Sequence, residues 1–288
     1  ALQPVAEARR QYEARIALMA PSAPVAKIAE RSIDGPGGPL KLRIYTPVGS
    51  RPFPLMIFFH GSGFVLCSLD THDGMCRNLA AGIGCVVVSV DYRLAPEHKF
   101  PKGPDDCLAA THWAAAHAAE LGTYPARIML AGDSAGGNMA AVVAIKAKEA
   151  GTPKLRAQVL LWPVTDANFN NGSYNQFAEG HFLTRGMMEW FWDNYTTDPK
   201  QRNEIHASPL RASLEQLKGL PPALVQTAEF DVLRDEGEAY ARKLDAAGVE
   251  VTAVRYNGMI HDYGLLNPLA HVPTVHSAMR QAGVELKR

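Results

Sequence analysis

Cysteine is scarce in this 288-residue chain. There are four, Cys67, Cys76, Cys85 and Cys107, with no CxxC pair and nothing near the density of a disulfide scaffold. Free thiols in or near a core, in a reducing cytoplasm, are the expected state. Net charge is missing too: Lys plus Arg and Asp plus Glu each total 29. That balance leaves no general electrostatic footprint for nucleic acid. No run approaches the ~18 consecutive apolar residues of a membrane-spanning helix. The N-terminal stretch ALQPVAEARRQYEARIALMA is charged and amphipathic, without the ~7–15-residue apolar run of a signal peptide. Glycine (24) and proline (20) are too few for a low-complexity chain. What remains, 47% hydrophobic and 20% charged residues, is globular composition and excludes disorder.

Neither an internal repeat nor a linker-like tract is present. Residues 3–18 read as a helix, with Val5, Ala8, Tyr12, Ile16 and Met19 near helical spacing. Two strands, 27–34 and 39–46, flank the turn-rich Gly35-Pro36-Gly37-Gly38. Beyond them the pattern changes to continuous apolar runs: Leu55–Phe59, Cys85–Val90, Ile128–Ala131, Val159–Leu161 and Ala223–Gln226. A partly alternating run, Val249–Arg255, follows. Runs apolar on both faces suit parallel strands covered by helices on both sides. Helical stretches at about 71–83, 104–120, 136–150, 234–247 and 274–286 alternate with them, which predicts an α/β fold built from βαβ units. The interval 165–218 breaks the rhythm with helical pieces and no buried strand. Together with residues 1–25 it is the expected cap, over a core formed by 26–164 and 219–288.

Gly132-Asp133-Ser134-Ala135-Gly136 matches GxSxG, a weak pattern by itself. Its flanks strengthen it, because a buried-strand run precedes it and a helix opens directly after. A serine in such a strand–turn–helix elbow projects its hydroxyl above the sheet, with glycines where a Cβ would clash. The helix N-terminus offers free N–H groups to a developing oxyanion. His60-Gly61-Ser62-Gly63-Phe64 follows the run Leu55–Phe59, and its small residues let backbone N–H groups approach a substrate carbonyl. A further donor is expected from Ala135, the residue after the nucleophile.

These two motifs, with Tyr92-Arg93-Leu94-Ala95-Pro96-Glu97 between them and Asn138 closing a GDSAGGN block, resemble the bacterial hormone-sensitive-lipase family of α/β-hydrolase carboxylesterases. The resemblance runs from about residue 25 to the C-terminus. It implies an α/β-hydrolase fold with a mostly parallel central sheet, helices on both faces and a helical cap. It also implies hydrolysis of short- to medium-chain carboxylic esters with neither cofactor nor metal. The implied oxyanion donors are the N–H groups of Ser62, Gly63 and Ala135. One departure stands out: the middle glycine of the family's HGGG-type motif is Ser62 here. The expected role of His60 is to order this loop, and Tyr92, Arg93 and Glu97 are expected to buttress it.

An α/β-hydrolase presents its nucleophile, acid and histidine in that chain order. The acid belongs just past a late strand, where Glu229, Asp231, Asp235 and Glu236 compete. The family's DPLRDE block resembles Asp231-Val232-Leu233-Arg234-Asp235-Glu236 and selects Asp231. Of ten histidines, only His261 follows the last strand in a loop, where an open α/β sheet places its site. The family has His-Gly-Phe there; this chain has His261-Asp262-Tyr263, which sets a carboxylate beside the base. Phe64, Asp133 and Trp162 are the expected substrate-pocket residues, and Phe169, Phe182, Trp190 and Phe191 are further candidates for apolar walls. The expected partner is a small-molecule ester, with no nucleic acid and no membrane; a homodimer is left open. Two other readings stand beside the esterase: a ligand-binding receptor on this fold, which would lack the catalytic histidine, and another acyl-transfer enzyme such as an amidase, peptidase or transacylase.

Overall fold

The computed structural model describes residues 4–14 and 22–285. Helix α1 (Val5–Ala14) comes first, so Ile16 and Met19 lie outside the described residues. The chain continues through β1 (Lys27–Gly35), β2 (Gly38–Thr46), β3 (Phe53–Phe59), α2 (Asp73–Ile83), β4 (Val86–Val90), α3 (Lys102–Ala116), α4 (Ala118–Leu121), β5 (Thr123–Asp133) and α5 (Ala135–Ala150). Then come β6 (Ala157–Leu161), α6 (Gly172–Gln176), α7 (Arg185–Tyr195), α8 (Leu214–Leu217), β7 (Ala223–Phe230), α9 (Arg234–Ala246), β8 (Val251–Ile260) and α10 (Pro273–Glu285).

The eight strands form one sheet in the order β1-β2-β4-β3-β5-β6-β7-β8. The hairpin β1–β2 and the pair β2–β4 are antiparallel, and every later pair is parallel. The continuous apolar runs have a direct cause. In β3, Leu55, Ile57 and Phe59 face one core while Met56 and Phe58 face the other. The first core is closed by α3, α5 and α9, through residues such as Cys107, Met139, Val143 and Tyr240. The second is closed by α2 and α10, through Met75, Leu79, Val275 and Ala278. Burial on both sides requires apolar side chains at successive positions.

Between β6 and β7 the chain leaves the sheet through α6, α7, two 3₁₀ turns and α8. Helix α7 starts at Thr184, whose hydroxyl accepts the Met187 N–H, an N-cap of the usual kind. The buried side of α7 carries Met188, Phe191, Trp192 and Tyr195, and it packs over the loop that follows β3. Gly63 in that loop touches the Phe191 ring so closely that a Cβ would lie 2.2 Å from it.

The last strand is longer than its pattern suggests. The sequence places its end near Tyr256, followed by a loop; the structure carries β8 to Ile260. A register shift opposite Ala228–Phe230 and a left-handed Gly258 (φ 76°), whose N–H donates to Glu229 Oε2, let pairing resume at Phe230 and Ile260. His261 therefore leaves directly from a strand end.

Candidate active site

Ser134 lies between β5 and α5 with φ 53° and ψ −119°, a strained conformation for a non-glycine residue. The glycines around it are dictated by contact. A Cβ on Gly136 would come within 1.9 Å of the Phe59 carbonyl oxygen, and one on Gly132 within 2.2 Å of the Gly136 oxygen. The ends of β3 and β5 and the first turn of α5 thus meet at the elbow with no room for side chains. Ser134 makes no side-chain capping bond to α5, so its hydroxyl is available for other work.

His261 Nε2 lies 2.9 Å from Ser134 Oγ, and its Nδ1 lies 2.7 Å from Asp231 Oδ2. Carboxylates only accept, so the Nδ1 proton points at Asp231 and Nε2 faces the hydroxyl. The other Asp231 oxygen accepts the Leu233 N–H at 2.9 Å. All three side chains are nearly closed off: Ser134 is 4% exposed, His261 2% and Asp231 1%. A second carboxylate flanks the imidazole, because Asp262 Oδ1 lies 3.4 Å from Nε2. Burial works to lower the His261 pKa, but Asp231 and Asp262 outweigh it and push it up to about 9. Burial, with Asp133 and Asp231 nearby, in turn holds Asp262 above the usual carboxylate range, against the pull of His261.

Beside this line, the N–H groups of Ser62, Gly63 and Ala135 hydrogen-bond to no described residue. The loop carrying the first two is held from below. Gly61 N–H donates to Asp133 Oδ1, and His72 Nε2 lies 3.3 Å from Asp133 Oδ2. The Tyr92 hydroxyl donates to the His60 carbonyl, with the two rings stacked at 4.5 Å. Nδ1 of His60 donates to the Gly61 carbonyl. Burial, assisted by His72, lowers the His60 pKa to about 4, so this ring stays neutral and is suited to packing.

The other residues singled out from sequence are placed as follows. Phe64 lies beneath α7, where it stacks on Tyr195 at 3.9 Å within the core and is 1% exposed. Asp133 is likewise turned inward, with its carboxylate engaged by Gly61 and His72. Trp162 is 1% exposed, with Nε1 donating to Asp262 Oδ1 at 2.8 Å and its ring tilted on Tyr263. Arg93 forms a two-pronged pair with buried Asp106. Glu97 is linked to the oxyanion-side loop through Arg9 of α1, which pairs with Glu97 and donates to the Val65 and Ala95 carbonyls.

Two further residues hold the site together. Asn138 Nδ2 donates to the Val164 and Ala207 carbonyls, and buried Glu236 accepts the N–H groups of Thr165 and Asp166. The sequence signal for both was present in the GDSAGGN and DVLRDE blocks, but their partners lie 26 to 71 residues away.

The sheet order, the elbow and the Ser–His–Asp line are together those of an α/β-hydrolase. Residues 56–265 match the family described as alpha/beta hydrolase fold. A thermostable esterase from Pseudomonas putida has a crystal structure that superposes with a TM-score of 0.96 at 58% identity, covering 100% of this chain and 92% of that one. The carboxylic ester hydrolase LipN of Mycobacterium tuberculosis is 44% identical over 83% of this chain, which spans 64% of LipN. An ethyl acetate hydrolase of Pseudomonas putida is 38% identical over 89% of this chain and 82% of its own length. The chain belongs to the α/β-hydrolase fold family, and its enzyme class is that of the carboxylic ester hydrolases. Among the described residues no helix is long and apolar enough to cross a membrane.

Proposed function

We propose that the protein is a serine carboxylesterase that hydrolyses short- to medium-chain esters through an acyl-enzyme on Ser134. One observation carries this reading: a single imidazole within hydrogen-bond reach of both the Ser134 hydroxyl and the Asp231 carboxylate. His261 takes the Ser134 proton as Oγ attacks the ester carbonyl, and Asp231 stabilises the imidazolium that forms. The tetrahedral oxygen receives the unpartnered N–H groups of Ser62, Gly63 and Ala135, at the positive end of α5. His261 protonates the departing alcohol, the tetrahedral centre collapses, and water deprotonated by the same base releases the acid.

The near-complete burial of the three side chains supports the short end of the acyl range, as does the ethyl acetate hydrolase among the relatives. The stretch 165–218, with α1, acts as a cap, a role supported by α7 over Gly63 and by Arg9 on Val65. Of the pocket residues expected from sequence, Trp162 is retained as a wall beside the base; Phe64 and Asp133 serve the cap core and the loop. Every group invoked comes from one chain, so assembly as a homodimer would leave this chemistry unchanged. The four cysteines are buried and in no disulfide, which suits the reducing cytoplasm proposed as its compartment.

The test is Ser134→Ala. Removing the nucleophile of such a set costs on the order of 10⁶ in kcat, so activity on p-nitrophenyl acetate should drop to background with an unchanged unfolding curve. A phosphonate adduct located by peptide mass mapping on any other serine would overturn the assignment.

A further inference from the structure

Ser62 stands where the family it resembles carries glycine, and its backbone obeys glycine's rules, with φ 93°. Three of its polar groups have distinct fates. The carbonyl accepts the N–H groups of Val65 and Leu66 at 3.3 and 3.1 Å. The N–H meets no described acceptor. The hydroxyl donates to Cys67 Sγ across the turn. Cys67 is itself left-handed, with φ 67°, and nearly buried. It sits near the Thr71 hydroxyl and in the electrostatic neighbourhood of Asp133 and Asp262, and burial pushes its thiol up to about 12. It is therefore a neutral sulfur, an acceptor with no negative charge to place beside a developing oxyanion.

A serine hydroxyl left to itself competes for nearby backbone N–H groups. In this loop the N–H groups of residues 62 and 63, which meet no described acceptor, are among those proposed to receive the oxyanion. We infer that the Ser62–Cys67 contact is a clasp that positions the oxyanion loop. It turns the hydroxyl away from the N–H donors of residues 62 and 63 and holds residue 62 in the left-handed conformation that a Cβ disfavours. Cys67 is thus a positioning residue: it acts through Ser62 and makes no contact with the reacting atoms. This inference rests on the esterase reading of Ser134.

Cys67→Ala removes the acceptor. Its kcat should fall about tenfold with KM within twofold, short of the ~10²–10³ lost when a donor is deleted outright. Affinity for a trifluoromethyl ketone, whose hemiketal with Ser134 mimics the tetrahedral oxyanion, should fall by the same factor as kcat. Cys67→Ser, which keeps an acceptor, should restore most of the loss. In a Ser62→Gly background the same Cys67→Ala change should have no further effect, because there is no hydroxyl left to hold; the four proteins form a double-mutant cycle. Cys67→Val keeps the volume without the acceptor and replaces the alanine variant in the cycle if that variant fails to fold. The clasp is overturned if the loss is equal with and without the Ser62 hydroxyl, or if kcat does not change. Phosphonate labelling separates the two levels: an adduct away from Ser134 sinks the esterase reading, whereas equal labelling of Ser134 in wild type and Cys67→Ala sinks the clasp alone.

Discussion

His261 is flanked by two carboxylates, Asp231 on Nδ1 and Asp262 on the Nε2 side. Both favour the imidazolium, which explains a pKa of about 9 in place of the ordinary ~6.5. A base must be neutral to take the Ser134 proton. The kcat/KM profile should therefore rise with pH through a limb lying above 6.5 and toward 9. Asp262→Asn removes one of the two charges and should move that limb to lower pH; a limb that stays in place would exonerate Asp262. Trp162 is tied into the same corner by its bond to Asp262. Replacing the indole by the smaller ring in Trp162→His should open room beside the base. The ratio of kcat/KM for esters bulky at the acyl α-carbon over acetate esters should then rise, by roughly 10-fold or more for each group newly accommodated. A uniform loss across the substrate series, with a lower melting temperature, would make Trp162 a packing residue only.

At the level of elements, the site is a junction of strand ends, and its precision comes from how tightly those ends abut. The approach of the first turn of α5 to the ends of β3 and β5 is set by Gly132 and Gly136, whose absent side chains leave backbone against backbone. Asn138, in the first turn of α5, ties the turn after β6 at Val164 and the segment at Ala207 to the elbow. Asn138→Ala would leave two buried carbonyls without their donor, at about 1–3 kcal/mol each. The denaturation midpoint should fall accordingly, and kcat should fall with it if the cap loses its seat. An unchanged midpoint would mean that water or a local shift replaces both bonds. The strand that delivers His261 runs past its apparent turn. In the sequence only Val249–Tyr256 reads as a strand, because the next residues include Asn257 and Gly258, which look like a turn. In the fold, Glu229 accepts the Gly258 N–H and the ladder resumes.

Over the whole molecule, the buried charged groups couple stability to pH. His261 has a folded pKa of about 9, above its unfolded value. The stabilisation this represents is fully present below pH ~6.5 and is lost as pH rises through 9; its scale is on the order of 3 kcal/mol. The melting temperature should decline between pH 6.5 and 9.5, and the decline should be shallower in His261→Gln, which has no charge to lose. Equal slopes in the two proteins would show that the imidazolium is not stabilised by the fold.

The sequence alone was enough for the class of fold, because burial on both faces imposes continuous apolar strands and the helices between them carry their own period. It also marked Ser134 and His261 as candidates from their places after strand-like runs, and the resemblance of residues 231–236 to the family's DPLRDE block chose Asp231 among four neighbouring carboxylates. Only the tertiary structure decided which groups touch. His72 meets Asp133 across 61 residues, Asn138 meets Ala207 across 69, and Phe64 stacks on Tyr195. No local pattern encodes such pairs. Buried polar atoms must find partners wherever the packed chain brings them, and that depends on the arrangement of the whole sheet.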